Sequence, residues 1–281
     1  MDNSDLAKRM KAYEAVSKTS LMKRCPVIMR LDGKAFHTFT GGFARPFDLV
    51  LQKAMQDTMK YLCENIQGCV LGYTESDEIS LVLIDYMKLN SAAWFDYEVE
   101  KMCSVGASMA TMAFNKSFEK RVDEWGRENL PGWDDGGTNE TVDEELIKLC
   151  DTYAQAIIKG ALFDCRVFNV PKEDVTNCIY WRQLDASRNS IQMVGQANFS
   201  HRELQNKSCN NIQDMLMLKK GINWNDFPTT CKRGSCCKKI AVSAPDGVNI
   251  AAREQWRIDN EIPLFKGEGR DYIDSLIFVG E

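Results

Sequence analysis

Asp32 and Asp77 are the residues on which chemistry could turn. Asp32 ends the apolar run at 25–31, and Asp77 sits in Thr74-Glu75-Ser76-Asp77-Glu78 between the apolar runs 68–73 and 79–84. Magnesium takes near-octahedral oxygen ligands from one or two carboxylates, with waters and substrate phosphates completing its shell. Two such ions stabilise both the attacking and the leaving oxygen of an in-line phosphoryl transfer. Glu78 is a spare acid beside the pair, and the Gly33 carbonyl adjoins Asp32. Aspartates after strands also serve ordinary surface turns, so the pair by itself leaves both readings open. The surrounding residues add weight. Arg30-Leu31-Asp32-Gly33-Lys34-Ala35-Phe36-His37 places two cations, a glycine and a histidine around the first carboxylate, as a triphosphate pocket requires. Arg45-Pro46-Phe47-Asp48 opens a helical segment whose first amides can receive phosphate oxygens. Singly, Lys34 and Arg45 also suit a solvated loop, and His37 a hydrogen-bonded structural role.

The elements that must position these groups follow from periodicity. Residues 25–31 read as a short buried strand, 46–62 as a helix with Pro46 in its first turn, and 68–73 with 79–84 as a hairpin with an acidic tip. A second helix is expected over 91–118, where Trp94, Val99, Met102, Val105, Met109 and Met112 recur at spacings near three and four. Its methionines are core filler on this reading. From 123 to 145 the composition turns acidic and glycine-rich, which predicts an exposed insertion. A strand over 162–170 and a long helix over 172–201 follow, then a mixed stretch over 203–239 and a terminal helical segment over 248–265. Strand, helix, strand, strand, helix, strand is the ferredoxin-like βαββαβ order. The expected fold is therefore α+β, a polymerase-like palm over 1–240 carrying the acidic insertion, with helical C-terminal additions over 241–281 packed on the core.

The 281 residues, 44% of them hydrophobic, suffice for a substantial core. No apolar run spans a bilayer and the N-terminus has no signal-peptide pattern, so no membrane partner is expected. Eleven cysteines are an odd count in a chain of this length, which favours reduced thiols and a cytoplasmic location. A net charge of -5 argues against nonspecific coating of nucleic acid, while local cationic patches remain available to a polyanion. His201, Cys209, Cys231, Cys236 and Cys237 invite a zinc reading but lack paired C-x-x-C spacing.

R-L-D-G-K-A-F-H, R-P-F-D and G-Y-T-E-S-D-E-I-S-L-V-L, followed by F-D-C-R-V-F-N-V-P, W-R-Q-L-D, K-G-I-N-W-N and K-R-G, resemble the serial motifs of the tRNA-His guanylyltransferase family. The likeness runs in order over roughly 20–240 and extends to the bacterial, archaeal and phage-type relatives that extend RNA in the 3′-to-5′ direction. It implies two Mg2+ ions on Asp32 and Asp77, assisted by the Gly33 carbonyl, with Glu78 close by. It implies a nucleotide site lined by Arg30, Gly33, Lys34, Ala35, Phe36, His37, Arg45, Asp48 and Ser76, and RNA contacts from Arg166, Arg182, Asn189 and Lys232. ATP and GTP or other nucleoside triphosphates would be substrates, tRNA the partner, and a homotetramer the assembly. One departure matters. Where eukaryotic members carry H-I-N-N after W-R-Q-x-D-C, this chain has Ala186-Ser187-Arg188-Asn189-Ser190 after Asp185, with only Asn189 in register. The missing histidine weighs against dedicated single-G addition to tRNA-His and towards templated repair of 5′-truncated tRNA. A nucleotidyl cyclase-type synthase shares the palm and the two aspartates, but would not need the later W-R-Q-L-D and K-R-G segments. A catalytically silent RNA-binding module would not need Asp32 and Asp77.

Overall fold

The computed structural model describes residues 4–131, 133, 143–242 and 253–280. Along the chain run α1 (Asp5–Ala15), β1 (Val27–Gly33), the single turn α2 (Phe36–Phe39), α3 (Leu49–Asn65), β2 (Cys69–Glu75), β3 (Glu78–Leu83), α4 (Val99–Asn129), α5 (Glu144–Lys159) and β4 (Phe163–Asn169). Then come α6 (Lys172–Asn198), α7 (His201–Leu204), α8 (Cys209–Lys220), α9 (Thr229–Arg233), β5 (Ser235–Val242), β6 (Arg253–Asp259) and α10 (Asp271–Ile277). The fold is α+β. Among the described residues six strands form one sheet in the order β4-β1-β3-β2-β5-β6, antiparallel at every junction.

Side chains alternate across a strand, and here the alternation divides two cores. Val27, Met29 and Leu31 of β1 join Ile79, Leu81 and Leu83 of β3 beneath α3 and α4, where Met59, Leu62, Phe114 and Phe118 close the layer. On the opposite face Ile28, Val82, Leu71 and Tyr73 pack under α6 and α10 through Val175, Ile179, Ile273 and Ile277. A third cluster joins the end of α6 to α8 through Ile191, Val194, Ile212 and Leu216. Cys236 and Cys237, adjacent on β5, point into different cores, so the two thiols cannot share a ligand site. Among the described residues no helix is long and apolar enough to cross a membrane.

Three expectations are corrected. The stretch 123–129, expected in an exposed insertion, is the last part of α4. Its acidic residues are a helical pattern: Asp123 pairs with Arg127 at 2.9 Å and Glu124 with Arg121 at 2.7 Å, while Val122 and Gly126 face inward. Residues 144 and 145 begin α5, capped by Asp143, and 132 and 134–142 lie outside the described residues. The terminal helical segment over 248–265 is also overturned. Residues 253–259 are the edge strand β6, since Trp256 and Ile258 recur at a period of two and pack on the α3/α4 core; 248–252 lie outside the described residues. Finally, the boundary expected at 240 falls within β5, which pairs with β2 on one side and β6 on the other.

Candidate active site

Arg30 and Asp32 share a face of β1 with Ile28, and their register partners are Ser80 and Glu78 on β3 and Arg166 and Asp164 on β4. The face that is apolar under α6 and α10 therefore becomes charged at its open end. The β2–β3 hairpin turns through Ser76 and Asp77 alone, since Glu75 and Glu78 are already paired. Ser76 takes a positive φ of 48°, and its hydroxyl donates to Asp77 Oδ1 at 3.0 Å. The Gly33 amide donates to the Asp77 carbonyl at 3.1 Å, which stitches the end of β1 to the hairpin tip. Gly33 has no room for a side chain: a Cβ there would lie 2.2 Å from the Phe36 ring.

A cleft of about 440 Å³ opens beside this tip. Gly33, Ala35, Phe36, His37, Arg45, Asp48, Ser76 and Asp77 line it, with Met193 and Gln196 of α6 opposite. Most residues expected around a nucleotide are thus brought together, but two are committed elsewhere. Phe36 is 4% exposed and packs edge-on against Phe114 and Phe163, so only part of its ring reaches the cleft. Asp48 is the N-cap of α3: its carboxylate accepts from the Leu51 amide at 2.8 Å, the Ala44 amide at 3.0 Å and the Tyr153 hydroxyl at 2.7 Å. Those three donors make Asp48 a frame for the cleft wall. Lys34 is exposed outside the lining, its amide bonded to the Leu162 carbonyl at 2.8 Å. His37 is exposed, with Nε2 3.0 Å from the Thr38 hydroxyl.

The acids differ in their company. Glu78 lies 3.1 Å from Arg182 Nε and 3.9 Å from Arg30 Nε, and accepts from Ser80 Oγ at 3.3 Å. Burial pushes its carboxyl up while the two guanidiniums pull it down. Asp77 is also pushed up, by burial first and then by Asp32, against the pull of the Ser76 hydroxyl. Among the described residues neither Asp32 nor Asp77 is ion-paired. Behind the hairpin Glu75 is 8% exposed and its carboxyl is pushed up to about 8, by burial above all and next by Glu78. It lines a cavity of about 90 Å³ with Asn189, Ser190, Gln52 and Ser235. No three His, Cys, Asp or Glu side chains among the described residues gather as a ready metal site; a cation here would need backbone and ligand oxygens beside two carboxylates.

The residues expected to touch RNA are dispersed. Arg166 is exposed on β4, 3.0 Å from Asp164. Arg182 is 7% exposed and held by Glu78 and Asp185. Asn189 faces the small cavity, and Lys232 sits at the end of α9, bonded to the Asn225 carbonyl. Glu75 and Trp181 were absent from the expected site. An acid at the end of a strand otherwise read as buried was the available signal for Glu75; nothing in the local sequence marks Trp181 as half exposed.

The sequence profile of the tRNAHis guanylyltransferase family matches residues 7–171. In structure the chain is similar to a bacterial tRNA(His) guanylyltransferase (Thg1)-like protein in complex with ATP, at 38% identity and a TM-score of 0.76, covering 98% of this chain and 100% of that one. Against such a protein in complex with GTP the identity is 35% and the TM-score 0.74, with the same coverage. By sequence, the tRNA(His) guanylyltransferase of Debaryomyces hansenii is 23% identical over 248 residues, 84% of this chain and 81% of that protein.

Proposed function

Because the chain belongs to the tRNAHis guanylyltransferase family, a family of nucleotidyltransferases, we propose that it adds nucleotides to the 5′ end of tRNA in the 3′-to-5′ direction, copying the opposite strand. The observation that carries the site assignment is the contrast among its acids: Glu78 has two arginines against it, while Asp32 and Asp77 lie close enough to repel each other and neither is ion-paired among the described residues. Half-buried like charges with no ion-paired counter-charge fit a metal. Asp32, Asp77 and the Gly33 carbonyl are the groups that would hold magnesium, and Glu78 is read as the anchor of Arg30 and Arg182. When bound, magnesium would neutralise the phosphates and the attacking and leaving oxygens. The strand order β4-β1-β3-β2, with α3 and α4 as crossovers on one face, supports a palm of the ferredoxin-like kind.

The cleft beside the tip suits a nucleoside triphosphate, with Arg45 and His37 available to phosphates and the Ser76 hydroxyl beside them. In the proposed sequence ATP adenylylates a 5′-monophosphate end and pyrophosphate leaves; the 3′-hydroxyl of the incoming nucleotide then attacks that phosphate and AMP leaves. A 5′-triphosphate end skips the first step and releases pyrophosphate in the second. No side-chain nucleophile is required, so positioning and charge stabilisation dominate. The bacterial relatives in complex with ATP and with GTP support both nucleotides as ligands. Templated repair is favoured over dedicated G addition by Ser187-Arg188-Asn189-Ser190 standing where eukaryotic members carry H-I-N-N. A homotetramer is part of the same reading and rests on the resemblance, while a cytoplasmic location rests on the odd number of cysteines.

The test is addition to a 5′-monophosphorylated tRNA lacking its first nucleotide, with ATP, all four nucleoside triphosphates and magnesium. The template-matched nucleotide is expected, and Asp77→Asn should lower the rate by roughly 10²- to 10³-fold. Addition of G alone, and only to tRNA-His, would assign dedicated guanylyltransfer; cyclic or linked nucleotides with no RNA product would assign a cyclase-type synthase.

A further inference from the structure

Trp181 is 51% exposed on α6, beside the charged end of the sheet. The Arg182 guanidinium lies 4.1 Å from its ring centroid and that of Arg30 lies 5.8 Å away. Arg182 is itself held by Glu78 and by Asp185, so contacts that begin next to Asp77 orient the indole. Arg30 Nε and Arg182 Nε are buried without an aligned hydrogen bond; Arg182 Nη2 donates to the Asp185 carboxylate, and stacking on the indole with ion pairing to Glu78 are the further contacts at the two planes. An indole carries a large apolar area, and leaving half of it in water forgoes much of the stabilisation its burial would bring. Leu184, one turn along the same helical ridge, is 47% exposed and lengthens the apolar strip. Across the sheet Arg166, the register partner of Arg30, extends an exposed guanidinium. One ring and one leucine are too small for a stable protein interface and match the face of a base.

We propose that Trp181 is a stacking platform for the outermost base at the 5′ end of the RNA, with Arg166 meeting the adjoining phosphate; this rests on the 5′-end addition proposed above. Arg182, expected to touch RNA, is then a positioning residue that acts through Trp181 and Glu78. Bases stack on aromatic side chains irrespective of sequence, as an enzyme that extends different ends requires.

The test uses the full chain and a 5′-truncated tRNA carrying 2-aminopurine as its first base, whose fluorescence falls on stacking. Binding to the native protein and to Trp181→Phe should quench the probe; binding to Trp181→Ala and Trp181→Leu should not. The KM for tRNA should rise about tenfold in the alanine and leucine variants and return to within about threefold of native in Trp181→Phe. The KM for the nucleoside triphosphate should stay at its native value, and the thermal midpoint should fall by no more than about 4 °C, equally in the alanine and leucine variants, since half of the removed ring is exposed. Native quenching and native tRNA KM in Trp181→Ala, or a leucine variant as good as the phenylalanine one, would overturn the platform alone. A native protein that neither binds nor extends any tRNA would overturn the platform together with the function it rests on.

Discussion

Beneath α3 and α4 every inward residue of β1 and β3 is apolar, from Val27 to Leu31 and from Ile79 to Leu83. On the other face the same two strands pass from Ile28 and Val82 to Arg30, Asp32, Ser80 and Glu78 within two to four residues. The strands are shared and the covers differ. Two helices lie along the whole of the first face, so a charge there would be stranded without water or partner. On the second, α6 and α10 seal only the apolar end, and beyond it α6 contributes Arg182 and Trp181. Chemistry is thus confined to the part of one face where cover gives way to partnered charge.

The comparison breaks most readily from the sealed side. Phe114 is fully buried on α4 among Phe36, Phe39, Phe118 and Phe163. Phe114→Ala should cost about 3–5 kcal/mol in denaturant unfolding. A loss below about 1 kcal/mol would mean that this layer is not close-packed, against the usual density of interiors.

Glu75 sharpens the comparison from the charged side. Its carboxyl is raised from an ordinary 4.5 to about 8 by burial first and Glu78 next. Between those values the folded protein retains a proton that the unfolded chain has released, so stability falls as pH rises across this window and levels off above it. Glu75→Gln removes that dependence. In metal-free buffer the variant should gain on the native protein from pH 4.5 to about 8 by on the order of a few kcal/mol, read from unfolding curves at each pH. A gap that stays constant with pH would place the titration on another group.

The smallest expected effect separates frame from ligand at Asp48. Tyr153→Phe deletes the buried hydroxyl that donates to the Asp48 carboxylate at 2.7 Å. It should lower stability by about 1–2 kcal/mol and leave the KM for nucleoside triphosphate at its native value. A raised KM with unchanged stability would show Asp48 acting on the nucleotide directly.

Much of this layout was legible in the residues. The runs at 25–31, 68–73, 79–84 and 162–170 mark β1 to β4 to within a few residues, because their apolar content and turn-forming flanks are local properties. Asp32, Gly33, Ser76 and Asp77 were legible through motif and turn chemistry together. The end of α4 was misread because Asp123, Glu124 and Arg127 look like loop residues until their partners one helical turn away are counted. Strand β6 was misread because its alternation is short and its stabilising partner, β5, precedes it across 243–252, where Val248, Ile250, Ala251 and Ala252 extend the apolar run towards a helical reading.

By itself the chain determined the alternation that makes two-faced strands, the glycine that lets Phe36 lie against the end of β1, and the acids at the hairpin tip. Tertiary structure decided how each acid is partnered. Glu78 was drawn to Arg30 and Arg182 because α6 crosses the sheet there, Asp48 was drawn to Tyr153 by the packing of α5, and Glu75 was closed behind the hairpin by α6 and α9. Ionisation and pairing depend on burial and on neighbours brought from distant parts of the chain, and those are set only when the helices settle on the sheet.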